Sequence, residues 1–204
     1  MKNIPNLVLA SQSARRQEIL RHLGLDPKII VSEADENITE DLTPEEFTER
    51  LSVRKAEAVL PLCGENDMVI AGDTVVALGD EIFGKPADRA DAFRMLSALS
   101  GTTHKVVSGI AVCYGGKIAV SHEVTEVTFR HLSAGEINAY IDTKEPFDKA
   151  GAYGLQDKAS VFVEKINGDY FNVVGLPVFR LFRLIKEHFD LDYFSFLKGD
   201  TVAF

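Results

Sequence analysis

An acidic residue stands inside an apolar stretch, where a carboxylate needs a specific reason to be. The segment from Val69 to Val76 reads VIAGDTVV, so Asp73 interrupts a run that otherwise predicts a buried strand. A buried carboxylate is costly unless it is paired, hydrogen-bonded or bound to a metal ion. Asp73 is therefore a candidate general base or metal ligand. The structural alternative is a bulge at Gly72 and Asp73 that exposes the acid to water.

A second candidate site combines hydroxyl groups with two adjacent arginines. The segment SQSARR, residues 11–16, lies between a short apolar strand pattern and a helical pattern. Backbone N–H groups at a helix N-terminus, the hydroxyls of Ser11 and Ser13, and the guanidinium groups of Arg15 and Arg16 together suit an anion such as a triphosphate. The alternative is that Ser13 is an ordinary N-cap and both arginines are solvated.

A lysine follows the acidic strand after a short hairpin. Lys85 lies in the tripeptide Gly84-Lys85-Pro86, and the proline restricts the local backbone. An ammonium group at this place could reach phosphates bound near Asp73. The alternative is a common surface turn, because glycine and proline mark many turns.

A loop near residue 150 concentrates charged, aromatic, amide and glycine residues. Residues 148–156 read DKAGAYGLQ. The Gln156 amide could recognise a base edge, Tyr153 could line a pocket, and the glycines permit a ligand to approach the backbone closely. A generic glycine-rich turn is the alternative.

Strand and helix patterns alternate around these four segments and predict an α/β fold in one domain. Helix starts are indicated by Asp88 and by the capping boxes Thr43–Glu46 and Ser133–Glu136. The predicted strands cover residues 7–10, 68–78, 81–83, 104–114, 117–129, 160–166 and 170–174, and a final helix runs from about Pro177 to Phe189. We assign residues 1–190 to the domain and leave the aromatic tail, residues 191–204, without a role.

Composition excludes several classes of protein. The 204 residues include 46% apolar side chains, enough for a sizeable core, and the net charge of −9 argues against a protein that coats nucleic acid. No apolar stretch approaches the about 20 residues that a membrane span requires. The two cysteines have no metal-type spacing, so we expect a reduced, cytoplasmic setting. Eight carboxylates between Glu33 and Glu49 indicate mainly a solvated acidic surface.

Taken together and in this order, the motifs resemble those of the Maf family of nucleoside triphosphate pyrophosphatases. The resemblance covers roughly residues 6–188 and rests on SQSARRQEIL, Glu36, Arg54-Lys55-Ala56, AGDTVV, GKP, Ser100-Gly101, FDKAGAYGLQ and NVVGLP. It implies a curved mixed β-sheet flanked by helices, with two lobes around a central cleft, related to the inosine triphosphate pyrophosphatase architecture. It also implies cleavage between the α- and β-phosphates.

The resemblance further implies roles for individual residues. Asp73 would be the proton acceptor, and Glu36 would lie at the phosphate end of the site. From the chemistry of carboxylates we further expect Asp73 and Glu36 to hold a divalent cation, for which oxygen ligands favour Mg²⁺ or Mn²⁺. The base and metal-ligand roles of Asp73 both remain open. The remaining assignments are substrate specificity for Arg15, Thr74 and Gln156, and phosphate binding for Ser11, Ser13, Arg16, Lys55 and Lys85.

The late loop decides between branches of the family. DKAGAYGLQ followed by NVVGLP is similar to the branch that hydrolyses dTTP and UTP, so we expect house-cleaning of the nucleotide pool in the cytoplasm. The alternatives are the 7-methyl-GTP branch and a nucleotide-binding regulatory protein of cell division that does not hydrolyse its ligand. The expected partner is a nucleoside triphosphate rather than a nucleic acid or a membrane, and a homodimer is compatible with the resemblance.

Overall fold

A mixed sheet of seven strands forms the centre of the computed structural model, which describes residues 4–197. In chain order the strands are β1 (Asn6–Leu9), β2 (Lys28–Ile29), β3 (Asp67–Leu78), β4 (Glu81–Phe83), β5 (Thr103–Tyr114), β6 (Lys117–Phe129) and β7 (Val163–Asn167). Their spatial order is β2-β1-β3-β5-β6-β7, and β4 pairs with β3. β1 is parallel to β2 and β3, whereas the other pairs are antiparallel.

Helices flank this sheet, which confirms the predicted α/β class. They are α1 (Ala14–His22), α2 (Pro44–Val59), α3 (Arg89–Leu99), α4 (Ala134–Asp142), α5 (Tyr170–Val174), α6 (Val178–Phe189) and α7 (Tyr193–Phe196). Both predicted capping boxes form: the Thr43 and Ser133 hydroxyls each accept the N–H three residues on, and a glutamate returns the bond. Each box satisfies helix N–H groups that would otherwise lack a partner.

Successive residues of the inner strands bury their side chains on opposite faces of the sheet. Val8 and Val69 pack with Ala56 of α2 on one face. Leu9 and Ile70 pack on the other face, in a cluster that also contains residues of α1 and α6. This alternation follows from the two-residue period of a strand, and it covers both faces of β1 and β3.

A further apolar cluster lies towards the other end of the sheet. Phe83 of β4, Leu96 of α3, Phe129 of β6 and Ile141 of α4 are buried together there. The two groups of helices therefore cover different parts of the sheet. β3, the strand that carries Asp73, contributes to both, with Ile70 in the first region and Val76 in the second.

The edge of β3 that faces β1 is paired at both ends and open in the middle. Residues 67–70 pair with β1, and residues 76–78 pair with β4. On its other edge β3 pairs with β5 without interruption from Val69 to Ala77, so the bulge considered for Gly72 and Asp73 does not form. Within residues 4–197, residues 71–75 are thus paired with β5 on one side and have no strand partner on the other, where Asp73 and Thr74 are partly exposed.

The chain after residue 157 departs from the predicted strands. Residues 158–162 form a 3₁₀ turn before β7, and Tyr170–Val174 is the helix α5 rather than a strand. β-Branched and aromatic residues favour a strand there. However, the Asp169 carboxylate accepts the N–H of Phe171 at the N-terminus, and Gly175 adopts φ 120° at the C-terminus. The two ends decide the structure of this short segment.

Only the first part of the predicted tail lies within the described residues. Leu191 and Phe196 are buried against the core, and the Tyr193 hydroxyl donates to the Leu23 carbonyl at 2.6 Å. Residues 191–197 therefore pack on the body of the protein, while 198–204 lie outside the described residues.

We expect Gly109→Ala to destabilise the protein because α2 rests directly on this glycine of β5. An added Cβ would lie 2.3 Å from the carbonyl carbon and oxygen of Thr48 in α2. Since the obstacle is backbone, the helix itself would have to move, and overpacking of this kind costs about 1–3 kcal/mol of the free energy of unfolding. Urea denaturation followed by circular dichroism measures this loss.

The matched control for this change is Gly64→Ala on the surface. A Cβ at Gly64 meets only the Asp67 carboxylate, at 3.6 Å, which is ordinary contact. We expect the control to change the free energy of unfolding by less than about 0.5 kcal/mol. Equal stability of the two variants would contradict direct packing of α2 on Gly109.

Candidate active site

A cleft of about 620 Å³ opens beside the accessible part of β3. Its volume lies within the about 300–1,000 Å³ that is usual for small-molecule sites. All of the residues predicted for the site line it: Ser11, Ser13, Arg15, Arg16, Glu36, Lys55, Asp73, Thr74, Lys85 and Gln156. The structure therefore brings together side chains that are up to 145 positions apart in the sequence, from Ser11 to Gln156.

Asp73 and Glu36 converge on one ammonium group. Lys55 Nζ lies 2.7 Å from Asp73 Oδ1 and 3.0 Å from Glu36 Oε1. The side chains of Asp73 and Lys55 are 14% and 13% exposed, whereas that of Glu36 is 63% exposed. The ion pair with Lys55 explains how a carboxylate is tolerated within β3, and the exposed Glu36 lies at the more open side of this group.

The position of Lys55 follows from how α2 lies on the sheet. Gly109 of β5 is the register partner of Asp73, and α2 contacts the sheet there through the Thr48 backbone. Lys55 comes seven residues after Thr48, which is two helical turns along the same face. Packing of α2 on Gly109 therefore directs Lys55 along the sheet surface to the carboxylate of Asp73.

Arg16 is held by protein atoms rather than solvated. Its Nε donates to the Gly175 carbonyl at 2.7 Å, Nη2 donates to Thr74 Oγ1 at 2.9 Å, and Nη1 donates to Ser11 Oγ at 3.3 Å. Burial lowers the pKa of the Arg16 guanidinium, and the Asp73 carboxylate opposes that shift. Ser13 does cap α1 by accepting the Arg16 N–H, so the cap and the cleft use the same segment.

Arg15 makes a weaker contact across the mouth of the cleft. Its Nη1 lies 3.4 Å from Asp148 Oδ2, and its Nη2 lies 3.4 Å from the Asp148 carbonyl. Both side chains are partly exposed, and ion pairs at exposed positions contribute little to stability. Arg15 can therefore turn to an anionic ligand at small cost.

The loop that follows residue 148 is fixed to the protein from within. The buried Lys149 ammonium lies 2.7 Å from Asp148 Oδ1 and 3.3 Å from Asp157 Oδ2. Carboxylates near the loop therefore balance its charge. Tyr153 is also buried, and its hydroxyl lies 2.8 Å from His104 Nε2. Burial lowers the pKa of His104 to about 4, so this histidine is neutral at neutral pH. These contacts give the cleft a fixed wall.

Two polar side chains on the cleft wall remain exposed. Gly151 N donates to Gly84 O at 3.0 Å, which joins the loop to the segment that carries Lys85. Within residues 4–197, the structure shows no hydrogen bond or ion pair of the Lys85 ammonium or the Gln156 amide. Both groups are therefore free to bind a ligand.

A family model described as "Maf-like protein" matches residues 6–188. The chain belongs to the Maf family. The match covers the whole of the segment that carries the motifs, including every residue that lines the cleft.

Several curated relatives of this Maf-family chain share one functional name. A protein of Alkaliphilus oremlandii named "dTTP/UTP pyrophosphatase" is 48% identical over 188 residues, which cover 91% of this chain and 97% of the relative. A protein of Bacillus cereus with the same name is 44% identical and covers 94% of this chain and 93% of the relative. The solved structure of the Staphylococcus aureus Ham1 protein matches 61% of this chain and 71% of its own, with 17% identity and a TM-score of 0.44.

The carboxylates of this Maf-family site suit a divalent cation that also binds phosphates. Glu36 and Asp73 already share one positive group, the Lys55 ammonium, so their oxygens face a common point. Within residues 4–197 no three acidic, histidine or cysteine side chains form a complete metal cage. Mg²⁺ commonly binds through one or two carboxylates together with substrate phosphates, so two carboxylates are sufficient.

Sequence reasoning missed two buried residues beneath the cleft. Ser108 Oγ lies 2.9 Å from Thr74 Oγ1, and it donates to the Asn172 carbonyl at 3.1 Å. Ser108 gave no signal, because a serine in an apolar strand is common. Asn172 carried a signal, because its amide stands beside two valines in the NVVGLP motif. This motif was used only to assign the family and its branch.

Proposed function

We propose that this protein hydrolyses dTTP and UTP to the nucleoside monophosphate and pyrophosphate. The observation that carries the proposal is the pairing of Asp73 with Lys55 in a cleft that also presents Arg15, Arg16 and Lys85. A triphosphate is highly charged, so its cleavage depends on neutralisation of the departing group more than on a covalent nucleophile. The names of the curated relatives support the choice of dTTP and UTP.

In this mechanism, Asp73 accepts the proton of the attacking water. Lys55 and Arg16 are already fixed at the cleft, so they can stabilise negative charge on the phosphates without reorganisation. Arg15 leaves its weak contact with Asp148 to bind the triphosphate. Glu36 and Asp73 would hold Mg²⁺ or Mn²⁺, which neutralises phosphate charge and lowers the pKa of bound water when it is present.

Hydrolysis explains the site better than binding alone. A module that only binds a nucleotide needs cations and a base pocket, whereas it gains nothing from a carboxylate placed among the phosphate-binding groups. Asp73 repels an anionic ligand unless a cation or a reaction step uses it. Asp73 also takes up the charge of Lys55, which a binding module would leave to the phosphates, so its presence in the cleft favours catalysis.

We place the reaction in the cytoplasm, as house-cleaning of the nucleotide pool. Cys63 and Cys113 are both free thiols, which fits a reducing compartment. None of the described helices is long and apolar enough to cross a membrane.

Pyrophosphate release from purified protein with Mg²⁺ or Mn²⁺ tests the proposal. The substrates are dTTP, UTP, CTP, ATP, GTP and 7-methyl-GTP at equal concentration. We expect fast release from dTTP and UTP. Activity confined to 7-methyl-GTP would overturn the assigned branch, and binding without release from any triphosphate would favour the regulatory alternative.

We expect Gln156→Ala to reduce discrimination between pyrimidine and purine triphosphates. The Gln156 amide lines the cleft and is exposed, so we assign it to the base edge. Loss of one such hydrogen bond costs about 0.5–1.5 kcal/mol, so the ratio of kcat/KM for dTTP to that for GTP should fall about two- to tenfold. Competition assays with both substrates measure the ratio.

The control is Gln17→Ala, which removes the same amide from α1 outside the cleft. It should leave the ratio unchanged. If Gln156→Ala also leaves it unchanged, Gln156 does not read the base.

A further inference from the structure

A line of hydrogen bonds runs from Arg16 at the cleft into the buried core. Arg16 Nη2 donates to Thr74 Oγ1 at 2.9 Å, and Thr74 Oγ1 lies 2.9 Å from Ser108 Oγ. Ser108 Oγ donates to the Asn172 carbonyl at 3.1 Å. Ser108 and Asn172 are fully buried, and neither lines the cleft.

The direction of this line follows from the single proton of each hydroxyl. The Asn172 carbonyl can only accept, so the Ser108 proton points to it. In the contact between Thr74 and Ser108, the Thr74 hydroxyl must then donate, which leaves its lone pairs to accept from Arg16. The Thr74 proton and one of its two lone pairs are thus used within the protein, and through them the hydroxyl holds Arg16.

Asn172 also supports Arg16 by a second route, through α5. The Asn172 side-chain amide donates to the Val106 carbonyl and to Thr125 Oγ1, both at 3.0 Å, which ties α5 to β5 and β6. α5 ends at Gly175, whose carbonyl accepts Arg16 Nε at 2.7 Å. Asn172 therefore supports two of the three contacts that orient the guanidinium, the one with Thr74 through its backbone and the one with Gly175 through its side chain.

These contacts leave part of the guanidinium available. Arginine has five N–H donors, and the bonds to Gly175, Thr74 and Ser11 use three of them, one on each nitrogen. One N–H on each terminal nitrogen has no acceptor among residues 4–197, and Arg16 lines the cleft. A planar pair of donors of this kind suits two oxygens of a phosphate.

We propose that Ser108 and Asn172 are positioning residues for the reaction, which act through Thr74 and the Gly175 carbonyl to hold Arg16 toward the triphosphate. This inference rests on the proposed function, because it assigns Arg16 to a substrate phosphate. A guanidinium ordered during folding does not have to be ordered again when the substrate binds, so the positioning lowers the barrier. Thr74 then affects the rate of hydrolysis of every triphosphate through Arg16, and not the choice of base.

A double-mutant cycle between Ser108 and Arg16 tests the proposal. Ser108→Ala removes the acceptor of the Thr74 proton, and we expect kcat/KM for dTTP to fall about tenfold. In the Arg16→Ala background, the same change should have no further effect, because the group that it positions is gone. A general loss of core stability would instead lower activity in both backgrounds.

Ser52→Ala is the matched control for core damage. Ser52 is also fully buried, and its hydroxyl donates to a backbone carbonyl, that of Thr48, at 2.7 Å. Ser52 does not line the cleft, so its variant should keep wild-type kcat/KM. A tenfold loss in this control would show that any buried serine has the same effect, and it would overturn the proposal.

Thr74→Val provides a second test, which does not depend on whether the Ser108 variant folds. It removes the hydroxyl with little change of shape, at a half-buried position. We expect a loss that disappears in the Arg16→Ala background and is restored by Thr74→Ser. A loss that persists without Arg16 and changes the ratio of dTTP to GTP would mean that Thr74 contacts the base directly, which overturns the inference.

The wild-type protein separates failure of this inference from failure of the proposed function. If it releases no pyrophosphate from any triphosphate, both fall. If it is active and the Ser108 and Thr74 losses are equal in the two backgrounds, only the positioning role falls.

Discussion

Asp73→Asn should lower kcat for dTTP by about 10²- to 10⁴-fold, the usual contribution of a positioned general base. Asparagine has nearly the same shape, and its carbonyl oxygen can still accept the hydrogen bond that Lys55 Nζ makes at 2.7 Å. It cannot accept a proton from water. The variant should therefore remain folded and bind nucleotide, while pyrophosphate release under saturating dTTP is lost.

The matched control is Asp80→Asn, in the exposed turn between β3 and β4 of the same hairpin. It makes the same chemical change outside the cleft, and we expect wild-type turnover. Retention of more than about a tenth of wild-type kcat by Asp73→Asn would contradict the base role. Calorimetric titration with Mn²⁺ distinguishes the two roles left open for Asp73, because unchanged affinity in the variant would indicate a base that is not a metal ligand.

Most of the predicted site residues could be found because they carried a local signal, whereas Glu36 and Lys55 were identified only through the family resemblance. Asp73 interrupts an apolar strand, and Ser13 with Arg15 and Arg16 follows a strand and opens a helix. The family match over residues 6–188 explains why these local signals occur together. Such signals do not depend on knowledge of the register between strands.

The support beneath the site could not be found in this way. The contact of Ser108 with Thr74 joins residues 34 positions apart, and it exists only because β5 pairs with β3 in one particular register. Asn172 reaches Val106 across 66 positions, from a segment that was predicted to be a strand. The wrong strand prediction for residues 170–174 and the failure to identify Asn172 have one cause. The helix that forms there places the Asn172 amide and the Gly175 carbonyl as observed, and a strand would not.

In the fold, too, features that the local sequence determines were predicted, whereas a contact between distant segments was not. Capping boxes and the long strands β3, β5 and β6 were predicted, because capping side chains and apolar periodicity determine them locally. The contact of α2 with Gly109 was not, because nothing in the sequence near Gly109 indicates that the Thr48 backbone packs on it. The ion pair of Lys55 with Asp73 depends on this contact, since it fixes where α2 lies on the sheet.

Lys55→Met should lower kcat/KM for dTTP by about 10²- to 10³-fold, as expected for loss of a fixed charge that stabilises the transition state. Methionine keeps much of the apolar length of the side chain but has no ammonium group. The phosphates lose a cation, and Asp73 loses its partner at 2.7 Å. Lys105→Met, at an exposed position of β5 outside the cleft, is the control and should retain wild-type activity.

The same variant should bind a divalent cation more tightly in the absence of nucleotide. The Lys55 ammonium lies between the two carboxylates that we propose as metal ligands, 2.7 Å from Asp73 and 3.0 Å from Glu36. Removal of a like charge at such a distance should raise Mn²⁺ affinity at least about tenfold by calorimetry. Lower activity with tighter Mn²⁺ binding would mean that Lys55 acts on the phosphates themselves. Weaker Mn²⁺ binding would instead show that Lys55 serves to hold the two carboxylates in place, and a change in neither quantity would exclude Lys55 from the reaction.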